Sequence, residues 1–174
     1  MGSSGQSLRS GDVGKWWDDI ETNVKGSYLV GRGFLAQISA EKIDAHLVYM
    51  CSGAANLTIP EQSGYGISKL GQVRLAAYAA LENSNVHTTA MHPGIIATDL
   101  AGADFLPYAL DTPLLAGAFS VWLTSPAAAF LSGRFVWANW DVEEMVARKE
   151  EILANNLLTI QLSGASPGNV AEVK

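Results

Sequence analysis

Apolar residues recur at helical spacing along the first part of the chain, from Trp17 to Ile38. This spacing predicts one long helix over residues 16–39. Acidic residues near its start, among them Asp18, suit the positive end of a helix dipole. The stretch therefore indicates a helix that packs one face against the rest of the protein.

The run Ala45–Met50 is almost continuously apolar, which is typical of a strand buried on both faces of a parallel sheet. Two further strands are predicted at Val86–Met91 and Arg134–Trp137. Helices are predicted between them over residues 63–82, which are rich in small side chains, and over residues 114–123. Because strands and helices alternate, the pattern predicts a parallel α/β fold with right-handed crossovers.

The composition narrows the class of protein. A chain of 174 residues with 48% hydrophobic and 16% charged residues can bury a sizeable core as one domain. The formal net charge of -6 disfavours nucleic acid as a partner. The longest apolar stretch, at 114–123, is too short to span a membrane. The first residues lack the apolar core of a secretory signal. We therefore expect a cytoplasmic protein with neither a membrane nor a nucleic acid as its partner.

Histidine and cysteine usage gives no sign of a metal site. Cys51 has no second cysteine to pair with, which suits a reducing compartment. Its position beside Ser52 admits a nucleophile, but we interpret it as a small buried strand residue. His46 and His87 are isolated, and no metal-ligand spacing is present, so no metal is expected.

The side chains best suited to acid–base catalysis lie at the end of the first predicted strand and on the helix that follows it. Tyr65 and Lys69 are four residues apart, so on a helix their side chains share one face. A phenol has an ordinary pKa of about 10, and a nearby ammonium group favours its ionised form. Ser52, at the end of the strand, can bind the same substrate oxygen that Tyr65 protonates. These three side chains predict a proton-transfer site for a carbonyl or alcohol.

These residues resemble the active site of the short-chain dehydrogenase/reductase (SDR) family. Ser52 is followed thirteen residues later by Tyr65 and then by Lys69, and Asn23 resembles the helix asparagine that completes the family's tetrad through a water. The segment Pro93-Gly94-Ile95-Ile96-Ala97-Thr98 resembles the family's P-G-x-x-x-T turn. The resemblance runs from about residue 16 to residue 162, and the run at 133–141 is similar to filamentous-fungal members.

The resemblance implies hydride transfer between a nicotinamide and a carbonyl or alcohol carbon. Tyr65 would exchange the proton, Lys69 would lower the pKa of Tyr65 and hold the nicotinamide ribose, Ser52 would polarise the substrate oxygen, and Asn23 would anchor a relay water. The cofactor that the resemblance implies is NAD or NADP, and the residues implied to bind it are Tyr65, Lys69, Pro93, Gly94, Ile96 and Thr98.

The family's opening strand, Gly-rich turn and first helix have no counterpart in this sequence. The letters of a dinucleotide fingerprint occur at Gly31-Arg32-Gly33-Phe34-Leu35-Ala36, but inside a helical pattern, where helix packing is the better interpretation. The fold class expected is thus a Rossmann-like parallel sheet with flanking helices, N-terminally truncated. A natural short form, an incomplete gene model and a deliberate fragment are all compatible with it.

Three segments are expected. Residues 1–14 are predicted to be a flexible arm, residues 15–162 the C-terminal part of an SDR domain, and residues 163–174 a flexible tail. The missing strands would leave Ala45–Met50 as a bare sheet edge, covered by the arm or by a second chain, or else a cause of poor solubility.

The resemblance also implies partners. Helices 16–39 and 63–82 would form a homodimer interface, with intramolecular packing as the alternative. The segment at 100–113 would cover a partly apolar small-molecule substrate, or simply pack. Two other functions stay open, namely a cofactor-free acid/base enzyme (isomerase, dehydratase or cyclase) and a non-catalytic interaction module.

Overall fold

Three parallel strands form the centre of the protein. The computed structural model describes residues 6–41, 43–98, 101, 103 and 105–161. The strands are β1 (Ala45–Met50), β2 (Val86–His92) and β3 (Phe135–Trp137), in the order β1-β2-β3. Ala45 lies opposite Val86, and Ala90 opposite Phe135. The predicted parallel α/β fold is confirmed, with strand bounds within one residue of those expected.

Helices surround the sheet, and short 3₁₀ turns join some of the elements. The 3₁₀ turns are Gly53–Ala55, Leu106–Tyr108 and Pro126–Leu131. The α-helices are α1 (Val13–Asp19), α2 (Gly26–Glu41), α3 (Ser63–Glu82), α4 (Pro113–Trp122), α5 (Val142–Ala147) and α6 (Lys149–Ala154).

The predicted long first helix is interrupted. It begins at Val13, where the Asp12 carboxylate accepts a hydrogen bond from the Lys15 backbone N–H at 2.9 Å, as a helix N-cap does. Between α1 and α2 lies a π-helical segment, Ile20–Lys25. The sequence predicts that a flexible arm ends at residue 14, and this position lies inside α1. The predicted tail at 163–174 lies outside the described residues.

Two apolar clusters cover the two faces of the sheet, because neighbouring residues in a strand point to opposite faces. On the α3 face, Ala90 and Phe135 pack with Val73 and Ala76, and the buried Cys51 joins them, as expected. The other face is larger. Its buried members are Met91, Ala116, Phe119, Leu123, Ala128, Phe130, Leu131, Val136, Ala138, Met145 and Ile152.

Helix α2 approaches β1 closely at Gly31. A β-carbon at that position would collide with the Tyr49 hydroxyl, so the close approach requires glycine. Gly33 faces open space instead. Both lie inside α2, where backbone N–H groups are used within the helix, so this glycine pair is no phosphate cradle.

Helix α1 crosses the start of α3. The Trp16 indole N–H donates to the Ser63 hydroxyl at 3.1 Å, and Gly64 leaves room for the Asp19 carboxylate, which would contact a β-carbon there at 2.8 Å. Gln6 pairs with this same region, since its backbone N–H donates to the Glu61 carbonyl at 2.7 Å. Within the described residues no strand pairs with the outer edge of β1, and no helix has the length and apolar character needed to cross a membrane.

Candidate active site

The site lies where the carboxyl ends of the strands meet. Ser52 follows β1 and caps the 3₁₀ turn Gly53–Ala55, its hydroxyl accepting from the Ala54 N–H at 3.3 Å. A β-carbon built on Gly53 would lie 3.3 Å from the Trp137 ring and 3.6 Å from the His92 ring. The ends of all three strands therefore converge around Ser52.

Tyr65 reaches this edge from the first turn of α3, where the Ser52 side chain is close enough to its hydroxyl to influence its pKa. Burial raises the pKa of the Tyr65 phenol, and Ser52 lowers it by less than burial raises it. The pKa of Tyr65 is therefore raised, whereas the sequence predicts that Lys69 lowers it. The reason is that removing a phenolate from water costs more than Ser52 returns, and Cys51 and Asp19 raise the pKa further.

Lys69 lies on the same face of α3, one turn after Tyr65. Its Nζ is 5.5 Å from the centre of the Tyr65 ring, a cation–π distance. The ammonium donates to the Met50 carbonyl at 3.3 Å and to the Gln72 Oε1 at 2.9 Å. Burial lowers the pKa of Lys69, while Cys51 and Asp19 act in the opposite direction.

Asn23 lies on the π-helical segment and faces α3. Its amide donates to the Ser68 hydroxyl at 2.9 Å, and Ser68 in turn donates to the Tyr65 carbonyl at 2.7 Å. The structure thus brings Asn23 to the residue next to Lys69. A π-helical turn is a frequent feature of functional sites, and the hydrophobic spacing alone does not reveal it.

The turn after β2 is held by a residue far away in sequence. Gly94 has φ +92°, a left-handed conformation that favours glycine, and a β-carbon there would collide with the Asp111 carboxylate. The Ile95 N–H donates to the Asp111 Oδ2 at 2.8 Å, and Ile96 pairs with Asp111 as an isolated bridge.

The remaining predicted cofactor residues lie on this turn. Pro93 is half-buried, Ile96 packs against the larger apolar cluster, and Thr98 is exposed, with its carbonyl accepting from the Ala101 N–H at 2.9 Å. Lys69 lies beside the Tyr65 ring, and Ser52 influences the pKa of the Tyr65 hydroxyl. Asn23 joins them through Ser68, and the turn at 93–98 lies at the carboxyl end of the neighbouring strand.

Several site residues were not foreseen. Gln72 and Ser68 share the Tyr65–Lys69 face at helical spacing, a signal that could have found them. No pattern in the sequence around Asp111 indicates that it contacts the turn after β2. Burial lowers the pKa of His92, which packs edge-on against Trp137 with ring centres 4.6 Å apart.

The two other histidines meet across the sheet. The register of β1 and β2 stacks His46 and His87 with ring centres 5.2 Å apart, although they are isolated in sequence. In the described part of the chain, no group of three or more His, Cys, Asp or Glu side chains is placed to hold a metal ion.

The parallel sheet and the polar side chains at its carboxyl edge define a Rossmann-like α/β protein. The chain belongs to the short chain dehydrogenase family, whose model matches residues 3–107. It is 38% identical over 162 residues to the short chain dehydrogenase mpl6 of Monascus purpureus, covering 89% of this chain and 54% of that protein. It is 39% identical over 150 residues to a short chain dehydrogenase/reductase of Claviceps purpurea, covering 82% of this chain and 50% of that protein.

Solved structures show the same fold at low sequence identity. A 4-hydroxyisoleucine dehydrogenase complexed with NADH and succinate superposes with a TM-score of 0.70 at 19% identity, over 79% of this chain and 63% of that one. The halohydrin dehalogenase HheC bound to ethyl (2S)-oxiran-2-ylacetate gives 0.69 at 16% identity, over 79% and 63%. The chain thus spans about half the length of the curated relatives and somewhat less than two thirds of these structures.

Proposed function

We propose that these residues form the catalytic part of an NAD(P)-dependent oxidoreductase that interconverts a carbonyl and an alcohol. The observation that carries the proposal is the convergence of three side chains. The Lys69 ammonium lies 5.5 Å from the centre of the Tyr65 ring and donates to the carbonyl of Met50, two residues before Ser52, and Ser52 in turn influences the pKa of the Tyr65 hydroxyl. A phenol with a hydroxyl and an ammonium beside it can bind, polarise and protonate one oxygen atom.

The proton is assigned to Tyr65. Because its phenol pKa is raised, Tyr65 stays protonated at neutral pH and is ready to act as an acid. Ser52 binds and polarises the substrate oxygen, Lys69 supplies the positive charge, and Asn23 completes the tetrad beside Ser68. A protonated Tyr65 suits reduction of a carbonyl, since the product alkoxide takes the phenolic proton.

The residues present suit the nicotinamide end of a dinucleotide. Gly94 leaves the 93–98 turn without a β-carbon beside Asp111, and the Thr98 side chain is exposed on that turn. Pro93, Gly94, Ile96 and Thr98 would hold the carboxamide, and Tyr65 and Lys69 the ribose. The bound nicotinamide supplies the hydride. The choice between NAD and NADP stays open.

The substrate in this proposal is a small, partly apolar carbonyl or alcohol compound. Beside the site, the segment around the 3₁₀ turn Leu106–Tyr108 exposes large apolar side chains, with Leu106, Tyr108 and Leu110 all at least half-exposed. Exposed apolar groups near a polar site can cover an apolar substrate when it binds.

A homodimer through residues 16–39 and 63–82, in the cytoplasm, completes the proposal. Helices α2 and α3 expose apolar side chains, which a second copy would bury. They are Tyr28, Leu29, Val30, Ile67, Tyr78 and Leu81.

A second candidate is a cofactor-free acid/base enzyme that uses the same three side chains. Two observations favour it. Among the described residues the only match to the full G-x-G-x-x-G/A pattern lies inside α2, away from any strand-to-helix turn that could bind phosphates. One protein of the same fold is named a dehalogenase, so the fold alone does not decide the reaction.

The test is a titration of the purified chain with NADH and NADPH, followed by nicotinamide fluorescence and then by assays on apolar carbonyl compounds. Saturable binding and turnover are expected. Tyr65→Phe should lower kcat by about 10²-fold or more, because it removes the acid. Tyr78→Phe makes the same change at a tyrosine that is 59% exposed on the same helix, and it should leave kcat unchanged. Full activity of Tyr65→Phe would overturn the mechanism. Absence of binding up to about 1 mM nucleotide would favour the second candidate.

A further inference from the structure

Gln72 is a buried polar residue in contact with the site's ammonium group. It lies three residues after Lys69 on α3 and is 6% exposed. Its Oε1 accepts from the Lys69 Nζ at 2.9 Å, the shorter of the two hydrogen bonds that the ammonium makes to oxygen. A buried amide is costly unless both of its ends are hydrogen-bonded, so its other end is informative.

The nitrogen end of this amide is held by a different helix. Gln72 Nε2 donates to the Ser27 hydroxyl on α2 at 2.6 Å. Because the nitrogen is engaged with Ser27, the oxygen is left to face Lys69. The chain of contacts from Ser27 through Gln72 to Lys69 therefore connects α2 to the site.

Lys69 needs such support because its side chain has four rotatable methylene groups. An ammonium group has three N–H donors. In the part of the chain that the structure describes, the Met50 carbonyl and the Gln72 amide accept two of them, which leaves one donor for the site. These two acceptors fix the direction in which the ammonium points.

We propose that Gln72 is a positioning residue for Lys69, with Ser27 holding the Gln72 amide in the orientation this requires. The proposal rests on the function proposed above only in so far as Lys69 serves that reaction. It makes Gln72 and Ser27 part of the proton-transfer apparatus, although neither touches the reacting atoms.

Removing the acceptor should act on Lys69 in a predictable direction. An amide oxygen stabilises the charged ammonium, so its loss lowers the Lys69 pKa, and a carboxylate in its place raises it. The other titratable groups that face Lys69 are Tyr65 on α3, Cys51 after β1 and Asp19 on α1. They are the same in every Gln72 variant, so differences between these variants report Gln72 itself.

The test follows the titration of Lys69 by NMR of the lysine side chains, with its signal assigned by its loss in Lys69→Arg. Gln72→Met should lower the pKa of Lys69, Gln72→Glu should raise it, and Ser27→Ala should lower it by less than Gln72→Met does. Gln37→Met makes the same chemical change at an exposed residue of α2 and should leave it unchanged. In a chain that turns over substrate, Gln72→Met should also lower kcat about tenfold.

An unchanged Lys69 titration in both Gln72→Met and Gln72→Glu overturns the proposal. If Gln72→Met does not fold, Ser27→Ala decides, because Ser27 contacts Gln72 through one hydroxyl, and an unchanged titration there again overturns it. The titration does not require turnover. The expected shifts in a chain that binds no nucleotide would therefore support the positioning role while refuting only the proposed reaction.

Discussion

Removing the Asp111 carboxylate should loosen the turn that carries the proposed carboxamide-binding residues. Asp111 accepts from the Ile95 N–H at 2.8 Å and packs against Gly94. A hydrogen bond to a charged group contributes roughly 1.5–3 kcal/mol. Because Asp111 is only half-buried, we expect the lower end, about 1.5 kcal/mol, for Asp111→Ala. For a domain of this size that corresponds to a fall in Tm of roughly 3–6 °C.

Asp111→Asn is the matched control for this variant. It keeps an acceptor oxygen for the Ile95 N–H and removes only the charge, so it should lose less than half as much stability. Calorimetry of both variants gives the Tm values, and nicotinamide fluorescence gives the Kd for NADH, which should rise more in Asp111→Ala. An Asp111→Ala variant with the Tm and Kd of the unaltered chain would refute the bracing role.

Two further changes test the core and the buried carboxylate. Leu131→Ala removes a fully buried side chain and should lower the free energy of unfolding in urea by about 2–5 kcal/mol. Leu114→Ala, at an 80% exposed position of α4, should lower it little. Equal losses in the two variants would contradict the packing described. Burial, followed by the neighbouring Asp18, raises the pKa of Asp19, so its ionised form destabilises the fold above that pKa. Asp19→Asn should therefore raise Tm at pH 7, with a gain that shrinks as the pH falls towards 3.8, and a gain independent of pH would argue against this reasoning.

The sequence predicted best those elements whose cause is local. β1 and α3 begin and end where the pattern places them, because a continuous apolar run and a helical repeat are both visible within one short window. The placement of Lys69 beside Tyr65 was predicted in the same way, since residues four apart on one helix share a face.

The elements that were missed depend on contacts between distant residues. The π-helical segment keeps an unbroken helical pattern in sequence, and its amide contact to Ser68 spans 45 residues. Asp111 reaches Ile95 from 16 residues away. The raised pKa of Tyr65 likewise follows from burial by the whole fold, which a neighbouring lysine in the sequence does not reveal.

The two faces of helix α3 have different surroundings, since one faces the candidate site and the other is exposed. Tyr65, Ser68, Lys69 and Gln72 follow one another at steps of three, one and three residues, so the site contacts that α3 contributes lie along a single stripe of this helix. The exposed residues Ile67, Tyr78 and Leu81 lie outside that stripe. A shift of α3 by one residue would therefore displace all four residues of the stripe together. The register of this helix is thus held by its inner face, whatever its outer face contacts.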